Sequence, residues 1–422
     1  MGAAIRIPFG NCASSNIHKK GTVIIMTKKT VIADSGILLC GADGVADSRI
    51  LSGFRSMIEA EAVTRARNAG YAVSEEYCHS GEFGIDIIGE TALGGATLID
   101  GKYFSDAARQ ILSCNAELAL TLDVNGAPRR AAACCGLVNI KPTYGTVSRY
   151  GILPVASSAD TVTVTARTVA DCRKMLSVIS GSDEKDATTV SDLLCPLKNV
   201  SCGKPIRRIG ISSATLKQID EEVATDLAIF RDWVCKAGVE IVEIPPEEAT
   251  VFNIAHAAWN TVLCAEAWGN LSRYDGVRYG KRASEYSSLA EMYERTRSEG
   301  FGELIKNAVL YGSYALSPEC EGGFFKAKEA REWIKERLGK LFCLVDGLVL
   351  PACSATVYTP ENMQKRGFTA FNENFYTSLA SLCGLPAITV HGFQIVGNTF
   401  SDLALLDFAE NVESLDTVNF KF

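Results

Sequence analysis

The stretch from Thr121 to Tyr150, TLDVNGAPRRAAACCGLVNIKPTYGTVSRY, gathers the residues with most chemical potential in this chain. An acid, Asp123, precedes a turn at Gly126; Arg129, the pair Cys134-Cys135 and the run Lys141 to Gly145 follow. A glycine in such a turn lets the backbone approach its neighbours closely. Nucleophilic chemistry there would need a nucleophile beside a base. Among the nucleophiles nearby in sequence are Ser105, Ser113, Cys134 and Cys135. Ser105 and Ser113 read as positions along a helix. The two cysteines lie in an apolar, small-residue run that suits packed, inert thiols. His391 has no serine partner close by in sequence.

The order of these residues resembles the signature of the amidase-signature family, which writes a Gly-Gly-Ser turn after an Asp, then Arg, Cys-Gly and a Lys-Pro-Thr-Tyr-Gly run. Asp123, Gly126, Arg129, Cys135, Gly136, Lys141, Pro142, Thr143, Tyr144 and Gly145 fall into that pattern. Three further segments add to the resemblance, the first two to the A subunits of glutamyl-tRNA(Gln) amidotransferases within the family and the third to the family at large. They are YDGVRYGKR (274–282), ERTRSEGFGELIKNAVLYGSYALS (294–317) and SLASLCGLPAITV (378–390). Motifs in the right order over most of the chain carry more weight than any one alone.

The resemblance implies an α/β fold, a central mixed β-sheet covered by helices on both faces, with a helical cap over residues 266–340. It implies one domain over residues 26–422, with residues 1–25 as an extension. It also implies chemistry by a serine, a second serine on a cis peptide bond and a neutral lysine. Here those positions fall on Ala127, Tyr103 and Ala33. A methyl group cannot attack a carbonyl, and neither alanine nor tyrosine replaces the base and the relay. Tyr103 also brings a large ring into a loop that is glycine-rich in the family. The groups that would hold a substrate fall on Gly126, Arg129, Arg331 and Asn374, the last in place of an acid that would meet an ammonium. The expectation is a catalytically inactive protein that works by binding, with amidotransferase B-like and C-like subunits as partners. The alternative is an active, glutamine-hydrolysing amidase that uses displaced groups.

Composition narrows the classes further. The 422 residues carry a net charge of -7, so no global basic field invites nucleic acid. Fifteen cysteines without CxxC or Cys/His spacing read as reduced thiols of a cytoplasmic protein rather than a disulfide framework or a metal centre. No metal or cofactor is called for. No apolar run approaches a membrane span, and no secretory signal is expected.

The elements that must position these residues alternate. Helices are expected over 49–69, 105–118, 168–180 and 219–237, and strands at 71–74, 118–122, 347–350 and 387–390. Strand–helix alternation of this kind argues for a sheet between helical layers.

Overall fold

The computed structural model describes residues 29–43, 45–89, 97–195, 197–198, 204–216, 219–367 and 369–415. The extension expected over residues 1–25 lies outside them.

Alternating burial builds the centre. In strand β1 (Thr30–Asp34), Val31 and Ala33 pack into the main hydrophobic core, while Ile32 packs into a second, smaller cluster. Strand β5 (Leu118–Asp123) divides likewise, with Leu118 and Leu120 on one side and Ala119 on the other. Successive side chains of a strand point to opposite faces, so both faces of this sheet are covered.

The remaining strands are β2 (Ala72–Cys78), the short hairpin β3 (Thr97–Ile99) and β4 (Lys102–Phe104), β6 (Val138–Lys141) and β7 (Thr161–Ala166). They continue with β8 (Arg208–Ile211), β9 (Glu240–Glu243), β10 (Gly347–Pro351), β11 (Ala387–Val390) and β12 (Phe393–Gly397). Ten of them form one mixed sheet in the order β2-β1-β5-β7-β6-β11-β12-β10-β8-β9. β1 runs parallel to β2 and β5, with Asp34 opposite Cys78 and Ala33 opposite Leu120. The chain therefore leaves β1, β2 and β5 at the same edge.

The helices are α1 (Glu61–Asn68), α2 (Asp106–Leu112), α3 (Ala127–Cys134), α4 (Val169–Ile179), α5 (Glu221–Lys236) and α6 (Thr250–Leu271). Then come α7 (Leu289–Gly300), α8 (Glu303–Ala315), α9 (Gly323–Leu344), α10 (Pro360–Arg366), α11 (Ala370–Cys383) and α12 (Asp402–Ser414). The residues 266–340 assigned to the cap hold the end of α6 and helices α7 to α9; α6 begins earlier, at Thr250, and packs against α8, α9 and α11. Gly312 marks the close crossing of α6 and α8: a Cβ there would lie 2.0 Å from the Cys264 carbonyl oxygen.

Two expected helices are shorter than the hydrophobic spacing implies. Over 49–69 the chain forms a 3₁₀ turn at Arg49–Leu51, then a loop, and becomes α-helical only from Glu61. Gly53, at φ +78°, breaks the run. The helix expected over 105–118 ends at Leu112, and Cys114 adopts φ +61° before β5. The strand expected at 71–74 extends instead to Cys78. No helix among the described residues is long and apolar enough to cross a membrane.

Candidate functional site

The half of the motif that follows the family pattern is a buried scaffold. At the end of β5 the Asp123 carboxylate accepts a hydrogen bond from Gly126 N at 2.9 Å, closing a tight turn. Gly126 sits at φ +89°, and a Cβ there would lie 2.4 Å from Thr377. Both facts restrict the position to glycine. Helix α3 starts at Ala127, with Pro128 in its first turn, where a missing N–H is harmless.

Arg129 is fully buried and pairs with Asp123 at 2.7 Å. Its other donors reach the Thr377 carbonyl (3.1 Å), Gln394 Oε1 (3.0 Å), Ser381 Oγ (2.7 Å) and the second Asp123 oxygen (3.2 Å). All five guanidinium N–H groups thus point at protein oxygens. The substrate-holding role expected of Arg129 is corrected on that ground: the group ties β5 to α11 and β12 and offers no free donor. Burial pushes the Asp123 carboxyl up, but the Arg129 charge and hydrogen bonds outweigh it and hold the acid below the usual range.

Arg130, which no motif marks, is equally buried. It donates to the carbonyls of Ile87 (2.9 Å), Asn125 (2.9 Å) and Asp86 (2.7 Å) and to Thr377 Oγ1 (2.9 Å). Burial lowers its pKa. The Lys141 ammonium is buried too, donating to the Pro142 and Leu385 carbonyls at 3.3 and 3.2 Å, and burial brings it down to about 8. Thr143 clasps Asp402 at the start of α12 through its N–H (2.8 Å) and hydroxyl (2.6 Å). The Lys-Pro-Thr-Tyr-Gly run is therefore a joint between β6 and the C-terminal helix.

The three positions where the resemblance expects chemistry are different in kind. Ala127 is a buried methyl at the head of α3. Ala33 is fully buried within β1. Tyr103 lies in β4, half-buried, with its ring against the main core and its N–H donating to the Tyr358 carbonyl at 2.8 Å. Phe104 packs on the other cluster, which includes Ala132 and Cys135.

The stand-in nucleophiles fare no better. Ser105 caps α2, accepting from Ala108 N at 3.4 Å, and Ser113 Oγ donates to the Arg109 carbonyl at 2.5 Å. Burial pushes the Cys135 thiol up to about 12. Cys134 is raised well above the usual thiol range, first by its contact with Cys353 (Sγ–Sγ 3.7 Å) and then by burial. Thiols in this state carry little thiolate at neutral pH.

Arg331, on α9, donates to Ser158 Oγ at 2.8 Å, so its bond leads to the turn around Ser158 rather than to the Gly126 turn. Asn374, on α11, is fully buried and bonded to Asn260 at 2.8 Å; its amide also lies 3.0 Å from the Asn125 carbonyl. Of the substrate-side positions, Gly126 and Asn374 are thus brought together and Arg331 is bound elsewhere.

One histidine–carboxylate pair near the ends of β1 and β2 escapes sequence reasoning. His79, just past β2, contacts Asp47 through Nδ1. Asp47 also accepts from Ser35 Oγ and Ser80 N, both at 3.0 Å. It is held by consecutive left-handed residues, Ala46 (φ +59°) and Asp47 itself (φ +48°). Thirty-two positions separate the two partners, so spacing gives no signal. The Asp47 hydrogen bond raises the His79 pKa. Nearby, burial pushes the Asp34 carboxyl up to about 6. Among the described residues no three His, Cys, Asp or Glu side chains group to hold a metal.

A strand ending in an acid, a glycine turn, a helix headed by a small residue and an Arg–Asp tie beneath it are the frame of an acyl-transfer fold. The amidase family model matches residues 114–406, and the chain belongs to the amidase family. It is 33% identical over 402 residues to the glutamyl-tRNA(Gln) amidotransferase A subunit of Lachnoclostridium phytofermentans, an alignment that covers 87% of this chain and 79% of that one. It is likewise 33% identical over 362 residues to the protein of that name from Akkermansia muciniphila, covering 81% and 74%. The crystal structure of the corresponding A subunit from Thermotoga maritima superposes with a TM-score of 0.74 at 25% identity, covering 96% of this chain and 88% of that one. A Kluyveromyces lactis allophanate hydrolase, 20% identical over 92% of this chain and 62% of that one, shares the fold with a TM-score of 0.74.

Proposed function

We propose that this chain is a member of the amidase family, similar to the amidotransferase A subunits, that has lost amide hydrolysis and acts by binding. The observation that carries the reading is a contrast between the scaffold positions of the motif and the positions where the resemblance expects chemistry. The Asp123–Arg129 scaffold is complete, whereas Ala33, Tyr103 and Ala127 supply no base, relay or nucleophile. The partners are amidotransferase B-like and C-like subunits, because the relatives are named as one subunit of such an assembly. The cap supports a binding role. Leu310, Tyr311 and Tyr314 are 70%, 47% and 52% exposed along α8, and Phe325 on α9 is 67% exposed. Clustered exposed aromatic and aliphatic residues mark interaction surfaces. The described cysteines are all free thiols, in keeping with a reducing, cytoplasmic setting.

Co-expression with B-like and C-like subunits tests the binding half: a complex that survives gel filtration is expected, and a chain that elutes alone contradicts it. A second reading, hydrolysis by displaced groups, has one observation in its favour. The His79–Asp47 pair is a histidine–carboxylate couple at the edge from which Ala127 also projects. If that pair acts as the base, the variant His79→Gln removes any ammonia release from glutamine; on the binding account there is none to remove.

A further inference from the structure

At the end of α3 opposite Ala127, two thiols meet. Cys134, the last residue of the helix, has its Sγ 3.7 Å from that of Cys353, which lies just past β10 and 219 positions away in sequence. Cys134 Sγ also lies 3.8 Å from the Ala355 carbonyl oxygen, so it faces one short segment. That segment is held on its other sides. Ser354 donates to Glu373 of α11 through N (3.0 Å) and Oγ (2.7 Å), and the Tyr358 carbonyl accepts from Tyr103 N of β4 at 2.8 Å. Residues 353–358 therefore join α3, α11 and the β3–β4 hairpin, with the two sulfurs at the α3 contact.

The two thiols differ in access. Cys353 is 4% exposed and packs into the main core. Cys134 is half-buried where the two hydrophobic clusters meet, and Gly136 just beyond it is exposed. A small oxidant therefore reaches the pair from the Cys134 side. Cys135 packs into the smaller cluster, since neighbouring helical residues do not share a direction.

We infer that Cys134 and Cys353 form a reversible disulfide when the protein meets a peroxide, and that this bond locks the end of α3 to the 353–358 segment. The Cys134 thiolate attacks the peroxide O–O bond, its sulfur becomes a sulfenic acid, and the departing hydroxide takes up the thiol proton as water. The Cys353 sulfur then attacks the Cys134 sulfur; its proton goes to the leaving hydroxyl, and a second water departs. The thiols give up two electrons and the peroxide takes them. A thiol reductant reverses the bond by exchange.

A disulfide needs its sulfurs about 2 Å apart. The gap closes by rotation of two side chains at element ends, the last turn of α3 and the bend after β10, where the backbone can follow. Because the thiols already touch, bonding orders few groups anew. The contact with Cys353, and then burial, hold Cys134 well above the usual thiol range, so thiolate is scarce at neutral pH and the reaction is slow. The bond is thus a response to sustained oxidation rather than a resident link. Once formed, it closes a loop of over two hundred residues, which restrains the unfolded chain.

The test treats the full purified chain with hydrogen peroxide, raised until the exposed Cys40 and Cys343 have reacted. Remaining thiols are alkylated, and peptides are mapped by mass spectrometry without reduction. The expected result is a peptide pair linked through Cys134 and Cys353, with a rise in melting temperature of about 3 °C or more that dithiothreitol reverses. Cys134→Ser is expected to abolish both the link and the rise. Cys353→Ala, which puts no polar group into the core, is expected to do the same, and Cys135→Ser to leave both in place. The proposal is overturned if no Cys134–Cys353 link is found, if Cys353 is linked to Cys135 instead, or if the link leaves the melting temperature unchanged. Neither ammonia release nor subunit binding enters these readouts, so they stand or fall separately from the reading of the chain as a binding protein.

Discussion

The base of α3 and the outer face of the cap are built in opposite ways. Beneath Ala127, Arg129 and Arg130 are wholly buried and their guanidinium donors meet protein oxygens. On the cap, Leu310, Tyr314 and Phe325 project apolar surface into solvent, although α8 itself is well seated through Ile305, Ala308 and Gly312. The first region is over-determined internally, and the second is under-satisfied on its own. A chain relieved of hydrolysis but still engaged in assembly would keep both, since the scaffold holds the fold and the exposed face meets a partner. It would not need the attacking groups.

The sharpest break of that contrast is Arg129→Met. It leaves the Asp123 carboxylate buried without its ion pair, and a loss of about 3–5 kcal/mol or outright failure to fold is expected in denaturant unfolding. Next is Gly126→Ala, where a Cβ would meet Thr377 at 2.4 Å on a residue at φ +89°. Overpacking and backbone strain together predict about 2–4 kcal/mol in the same assay.

Those residues are legible in the sequence as motif members, but their function is not. The motif suggests a substrate-facing Arg129, because a motif preserves identity and says nothing about direction. Its acceptors Gln394 and Ser381 lie more than two hundred positions away, and only folding brings them together. Arg130 stays invisible because the residue beside a motif arginine carries no pattern of its own. The sheet is legible because β5, β10 and β11 are short apolar runs ended by polar residues or proline. The helix expected over 49–69 fails for a local reason: spacing sees amphipathic character, while Gly53 and the bend after it cut the helix to one turn before Glu61. The His79–Asp47 pair and the Cys134–Cys353 contact are products of tertiary structure alone.

A smaller effect concerns pH. Burial raises the Asp34 carboxyl to about 6, so the folded state binds this proton more tightly than the unfolded state does. Its contribution to stability is therefore largest at low pH and is lost as pH rises through the interval from about 4 to about 6. The unfolding free energy of the wild type relative to Asp34→Asn should fall by about 1–3 kcal/mol between pH 4 and pH 7. A flat difference across that range would show that the carboxyl is not held in this buried state.

The cap should give the smallest change in stability. Replacing Leu310 and Tyr314 by serine is expected to alter unfolding by less than about 1 kcal/mol, because both side chains already face water. The same pair should weaken binding of the B-like and C-like subunits by about tenfold or more if this face is the contact. Unchanged affinity would move the interface elsewhere.

The central claim is that the sheet edge at Ala127 no longer hydrolyses amides. It is tested most directly by ammonia release from glutamine, measured for the purified chain alone and in complex with B-like and C-like subunits. The account predicts no release above buffer in either state, and none for Ala127→Ser, because Ala33 and Tyr103 still supply neither base nor relay. Turnover by the wild-type chain that disappears in Ser105→Ala, Cys135→Ala or His79→Gln would contradict it.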